Sequence, residues 1–161
     1  MVRSLFLSFL ALCSFVGADA ANIASISNGQ YDDPSTWNCT CVPTDTDVVI
    51  VRHKVIVSVA SEAMRVVIRS NARLTSFAPL EILGALKIVN GGEMKNFDLL
   101  TIKGFYVLNG VHSGTGTTDL RGERISGTGE MSNTGSFEIS GGKVVIRPLY
   151  WNLDITCPWF D

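Results

Sequence analysis

This chain is short of helix-forming sequence. Beyond its first 20 residues no window longer than about ten residues keeps an apolar period near 3.6, so helix is a minor component. A basic cluster is also missing: the formal net charge is −2, which argues against nucleic acid and anionic membrane surfaces as partners. Gly-x-Ser-x-Gly, the phosphate loop and the dinucleotide fingerprint are all absent. Two histidines and no second close cysteine pair give no recognisable metal-ligand spacing. No cofactor or metal is therefore expected.

What is there begins with an export signal. Arg3 supplies a positive start, Leu5 to Val16 a short apolar run, and Ala18-Asp19-Ala20 a small-x-small cleavage pattern, so residues 1–20 read as a signal peptide. The apolar run is well short of the roughly 20 residues that span a bilayer. No later segment is long and apolar enough to do so, and the exported chain is expected to have no membrane span. The remaining 141 residues suit one domain with a buried core. Thirteen of the fifteen glycines fall between Gly84 and Gly142, so the second half turns often and tightly.

Cys13 leaves with the signal, and Cys39, Cys41 and Cys157 remain as disulfide candidates. An odd number in an oxidising compartment implies one pair and one other thiol. On an extended strand the side chains of Cys39 and Cys41 would sit about 7 Å apart, too far for an easy bridge. A turn at Thr40 could still join them, and a bond from either to Cys157 would need the C-terminus to fold back. The pairing stays open at this level. Asn38-Cys39-Thr40 is a sequon for N-glycosylation at Asn38 in a eukaryotic host.

From Val48 onward, strand-length β-branched runs dominate: Val48–Val51, Val55–Val59, Arg65–Arg69, Leu74–Phe77, Leu80–Leu83 and Leu86–Val89. Residues 92–107 match residues 129–144 at Gly92/Gly129, Glu93/Glu130, Met94/Met131, Asn96/Asn133, Ile102/Ile139, Gly104/Gly141 and Val107/Val144, a spacing of 37. Solenoid coils commonly run about 20 residues, so this period reads as two short coils. Such units stack because one alone cannot bury its apolar side. Inward Ile, Val, Leu and Met would form columns. Asn96 and Asn133 would fall at turns as structural residues, where equivalent asparagines could form a ladder. An antiparallel sandwich is the rival fold, and the repeat favours the solenoid.

Tyr31-Asp32-Asp33-Pro34-Ser35-Thr36-Trp37, followed by Val42-Pro43, Asp47-Val48-Val49-Ile50 and Val55-Ile56-Val57, resembles the opening of the eight-glycine domain of extracellular proteins. With Cys39-x-Cys41 before Val42-Pro43, it also resembles the amino-terminal part of bacterial secreted cell-surface β-helix proteins. The likeness is specific over residues 27–59 and generic from there to about residue 147. It implies an all-β fold, a short right-handed parallel β-helix of the pectate-lyase-like class with an N-terminal cap. The expected divisions are a signal at 1–20, a cap at 21–46, a solenoid at 47–147 and a tail or second cap at 148–161. In such a cap Trp37 covers the first coil, and Asp32, Asp33 and Asp47 fix turns through side-chain to backbone bonds. Tyr31 and Trp37 as a sugar-stacking platform is the alternative; buried packing is the commoner use of such rings.

The densest charged group is Asp119, Arg121, Glu123 and Arg124. Alternation puts Asp119, Arg121 and Glu123 on one face, where two carboxylates or a bound calcium ion would be conceivable. A solvated face with exposed ion pairs is the plainer reading. His53 is expected at a turn or strand edge and His112 in a glycine-rich loop, neither of them catalytic. The sequence thus points to a secreted, extracellular or cell-surface β-helix module, structural, adhesive or polysaccharide-binding. Its expected partners are extracellular polysaccharide or a cell-surface partner. A small polysaccharide lyase or glycoside hydrolase acting through Asp119, Arg121 and Glu123 is the alternative.

Overall fold

Alternating residues that are apolar inward and polar outward, broken every four to eight positions by glycine or asparagine, form strands that stack coil upon coil. The computed structural model describes residues 20–122, 124–141 and 145–146. They form a β-solenoid of about five turns with one 3₁₀ turn, Pro34–Thr36, and sixteen strands.

The strands fall on three faces. One carries β1 (Asn22–Ala24), β3 (Val48–Val51), the second half of β5 (Ser61–Ile68), the second half of β7 (Leu80–Ile88), β10 (Phe105–Leu108), β13 (Arg124–Ser126) and β16 (Val145–Ile146). The next carries β2 (Gly29–Gln30), β4 (Lys54–Val57), β6 (Arg73–Ser76), β8 (Glu93–Asn96), β11 (Val111–Gly114) and β14 (Glu130–Asn133). The third carries the first halves of β5 and β7, then β9 (Leu99–Ile102), β12 (Thr117–Leu120) and β15 (Phe137–Ile139). Every named strand pair among the described residues is parallel; the one antiparallel contact is an isolated bridge between Ser25 and Trp37. The sandwich alternative is thereby excluded.

Register explains the repeat. Met94 pairs with His112 and His112 with Met131, while Ile102 pairs with Leu120 and Leu120 with Ile139. The 37-residue period is two coils. Inward columns such as Val66–Leu86–Tyr106–Ile125 and Ile68–Ile88–Leu108 run up the axis, and all of these side chains are fully buried.

The segment expected purely as a cap also contributes the first rung of two faces. β1 pairs with β3 and β2 with β4. Asn22 pairs with Val48, 26 residues on, whereas Val66 pairs with Leu86, 20 residues on. The longer interval houses the 3₁₀ turn and the cysteine loop. Residues 1–19 and 147–161 lie outside the described residues, and with them most of the signal and the whole C-terminal tail.

Glycine sets the corners. Parallel strands lie about 4.8 Å apart, and where the chain bends sharply a Cβ would point at the coil below. A Cβ on Gly104 would come within 2.0 Å of the Gly84 carbonyl oxygen, and one on Gly122 within 1.6 Å of that of Gly104. A second column, Gly92–Gly110–Gly129, shows the same approach at the next corner. In the lower coils Met64 stands below Gly84 in the first of these columns, and β5 and β7 bend through that corner as continuous strands, with a register shift between Ala63 and Arg65. Backbone cannot yield as a side chain does, so Gly122→Ala is expected to cost about 3 kcal/mol or more. Urea denaturation of the purified variant measures this, and an unchanged midpoint would contradict the corner packing.

Candidate functional site

The cap residues are packed inward. Trp37 is fully buried and Tyr31 nearly so; their rings meet edge to face at 5.3 Å. Trp37 Nε1 donates to the Tyr31 carbonyl at 2.7 Å, and the Tyr31 hydroxyl donates to the Glu62 carbonyl one coil on at 3.1 Å. Burial, and secondarily the charge of Asp47, pushes the Tyr31 hydroxyl well above its usual range. No ring face is left for a sugar, so the stacking-platform reading of Tyr31 and Trp37 is corrected to a packing role. Asp33 accepts from Ser35 N–H at 2.9 Å, and Asp47 accepts from Thr44 N–H and hydroxyl at 2.8 and 2.7 Å, the turn-fixing role expected of them.

Cys39 and Cys41 are bonded to each other, so neither pairs with Cys157, which lies outside the described residues. The extended-strand spacing that argued against this bond does not hold. Thr40 has a positive φ of 52°, a conformation uncommon for a β-branched residue. That turn brings the Cα atoms to 5.1 Å, inside the range a disulfide accepts. Asn38 is exposed. Its Oδ1 accepts from Ala24 N–H at 2.9 Å, leaving the side-chain nitrogen that a glycan would take outside that bond.

Of the charged group, Asp119 and Arg121 meet and Glu123 lies outside the described residues. Asp119 is 6% exposed. It accepts from Arg121 Nε at 2.7 Å and from Ser140 Oγ, one coil on, at 2.5 Å. The hydrogen bond and charge of Asp119 raise the Arg121 guanidinium further above its ordinary value. A carboxylate with both oxygens engaged ties two coils together. Among the described residues no group of three or more His, Cys, Asp or Glu side chains comes together as a metal site would need.

His53 Nδ1 lies 3.0 Å from the Ser25 carbonyl and 3.1 Å from its hydroxyl, so the imidazole fastens the first coil to the second, as a strand-edge residue would. His112 departs from expectation. It sits within β11, fully buried, between Met94 and Met131 of its column. Its glycine neighbours suggested a loop, but they are corner residues flanking a strand. Nδ1 lies 2.6 Å from the Tyr106 hydroxyl, while Nε2 is buried without a partner. Burial lowers the His112 pKa to about 4 and raises that of Tyr106.

At the corner after β6 and β8, inward Ser76 and Asn96 hold the turn. Ser76 Oγ donates to the Ala78 carbonyl at 2.6 Å, Asn96 Nδ2 to the Thr117 carbonyl at 2.8 Å, and Asn133 Nδ2 to the Gly116 carbonyl at 2.9 Å. Asn96 and Asn133 share a column, but Gly114 stands between them; the ladder is interrupted. One position further on, Phe77 and Phe97 stack nearly parallel at 5.0 Å, 57% and 41% exposed. Beside them a shallow groove of about 290 Å³ is lined by Ser61, Glu62, Pro79, Glu81, Leu99 and Thr101, among others. Sequence reasoning missed this pair. Its signal was phenylalanine recurring at the coil spacing, just after an inward polar residue.

No family model, curated protein or solved structure matches this chain.

Asp119→Ala is expected to lower the melting temperature by several degrees, since it strips partners from Ser140 and Arg121; an unchanged melt would contradict the inter-coil tie. For His112, the ordinary pKa near 6.5 lies above the folded value of about 4. As pH falls below 6.5 the unfolded chain takes up the proton first, so stability is full above 6.5, declines toward 4 and levels below. The loss amounts to about 3 kcal/mol. Tyr106 is the titratable group facing the imidazole, and its column neighbours are apolar. Thermal melts from pH 7 to 4 should therefore show a shallower decline for His112→Met with Tyr106→Phe than for the parent; parallel curves would refute this.

Proposed function

We propose that this chain acts outside the cell as a secreted, non-catalytic β-solenoid module that binds extended polymers, extracellular polysaccharide first among them. The observation that carries this reading is the regular outer surface. In-register coils repeat their outward side chains at about 4.8 Å, in rows such as Lys54–Arg73–Glu93–Val111–Glu130. A surface periodic in one dimension suits a ligand periodic in one dimension, as extended solenoid faces commonly do. The Cys39–Cys41 bond supports an oxidising compartment, and the likeness of residues 27–59 to extracellular eight-glycine domains supports the same location. The engagement of Asp119 by Arg121 and Ser140 weighs against its use as a free acid or base.

The test is co-sedimentation of the purified chain with a panel of insoluble and gel-forming extracellular polysaccharides, with reducing ends assayed in the same tubes. Binding without new reducing ends is expected. New products that vanish in Asp119→Asn would replace this reading with a polysaccharide-cleaving enzyme.

A further inference from the structure

We infer that the Phe77–Phe97 corner and the adjoining groove form a subsite for a neutral glycan chain. This rests on the polysaccharide-binding reading above and names the place and the charge class of the ligand.

The fold itself does not call for these rings. Backbone register places Ser58, Phe77, Phe97, Thr115 and Thr134 in one outer column, because Phe77 N–H donates to the Val57 carbonyl, Phe97 to Ser76, Thr115 to Asn96 and Thr134 to Gly114. Three of the five are small and hydroxylic, so two adjacent, half-exposed phenyl rings exceed what the corner needs. Contiguous apolar surface of this kind marks contact sites. The rings stand two residues before Pro79 and Leu99, which line the groove; Leu99 is itself 39% exposed.

The opposite side of the groove is polar. Glu62 and Glu81 supply carboxylate oxygens, beside Ser61, whose hydroxyl donates to the Val59 carbonyl, and the buried Thr101. Pro79 and Leu99, next to the rings, give the groove its apolar lining, and apolar lining with a few directed polar groups is the composition of small-ligand sites. It matches a sugar, whose ring presents a C–H face and a rim of hydroxyl donors. At about 290 Å³ the groove sits at the small end of such sites, and its open shape lets a chain run through.

Charge narrows the ligand. The charged side chains lining the groove are Glu62 and Glu81, both acidic. The neighbouring cations are both engaged by carboxylates, Lys103 by Glu81 and Arg121 by Asp119, with Glu81 also within Arg121's electrostatic reach. A polyuronate would bring carboxylates against carboxylates, whereas neutral hydroxyls donate to them. Glu62 is free to vary, because the cap bond from Tyr31 uses its backbone carbonyl.

Titration calorimetry of the purified chain with neutral glucose and mannose hexasaccharides, and with hexagalacturonate, tests this. The parent should bind a neutral hexasaccharide in preference to hexagalacturonate. Phe77→Ser with Phe97→Thr, residues the column already uses, should weaken that binding at least tenfold while the melt stays cooperative. Should this variant not fold, Glu62→Lys decides alone: it should weaken the neutral sugar and strengthen hexagalacturonate. Preference for hexagalacturonate by the parent would overturn the charge argument. Polysaccharide binding that survives both variants unchanged would overturn the subsite and leave the module reading standing. Absence of binding to any polysaccharide in the sedimentation panel would overturn both.

Discussion

Everything in this molecule depends on the distance between successive coils. Parallel hydrogen bonding holds neighbouring strands about 4.8 Å apart, and the chain must return to the same position after each circuit. At a flat face this is undemanding, since side chains point alternately in and out. At a corner it is severe, because the backbone of one coil presses on the backbone of the last. The glycine columns through Gly104, Gly122 and Gly141 and through Gly92, Gly110 and Gly129 answer that constraint. At the third corner the answer differs in part: inward Ser76, Asn96 and Asn133 bend the chain by donating to carbonyls of the turn or of a neighbouring coil. Two corners are narrowed by removing side chains alone; the third adds these side-chain bonds to its own close-packed glycines, Gly114, Gly116 and Gly135.

The same repetition governs the interior. A column of identical environments favours residues of one size, and Val, Leu, Ile and Met fill nearly all of it. Thr118 and the corner residues Ser76 and Asn96 are polar exceptions, and the Tyr106–His112 pair brings titratable groups inside as well. It holds two polar groups in a core whose neighbours in register are aliphatic or thioether. Each satisfies the other through one short bond, yet Nε2 of the imidazole stays without a partner. Buried polar groups of this sort cost stability when half satisfied. They also tie the fold to pH, a coupling that the aliphatic columns do not have.

Much of this was legible in the residues. The 37-residue repeat gave two coils because glycine, asparagine and inward Ile recur together, and only stacking makes such identities useful. Cap packing was legible because Tyr31, Trp37 and the aspartates combine bulk with turn chemistry. The position of His112 was not. Glycine on either side normally signals a loop, and nothing local distinguishes a loop glycine from one that lets a strand end under another backbone. The Cys39–Cys41 bond was hidden for a related reason: distance along a strand was the wrong measure once Thr40 adopted a positive φ. The Phe77–Phe97 stack was visible only after the coil length was known, since residues 20 apart become neighbours only in register.

A solenoid also decides what its surface can do. Like residues that are far apart in sequence become adjacent by register alone, so a repeated carboxylate must be separated or offset. In the outer row Glu62 lies beside Glu81, and Lys103 pairs with Glu81 from the coil above. Thr101 separates Glu81 from Asp119, which is held by Arg121. Each like-charge contact is thus diluted by an opposite charge or a hydroxyl. The apolar equivalent is treated otherwise. Phe77 and Phe97 are adjacent, exposed and uncovered by any larger neighbour in their column. Repulsion forces a fold to manage its charges, whereas two phenyl rings attract and stand side by side in water without a counterpart. Stacked at 5.0 Å and half exposed, they tie two coils together and still leave an apolar face open beside the carboxylates of the groove, more than a tie between coils requires.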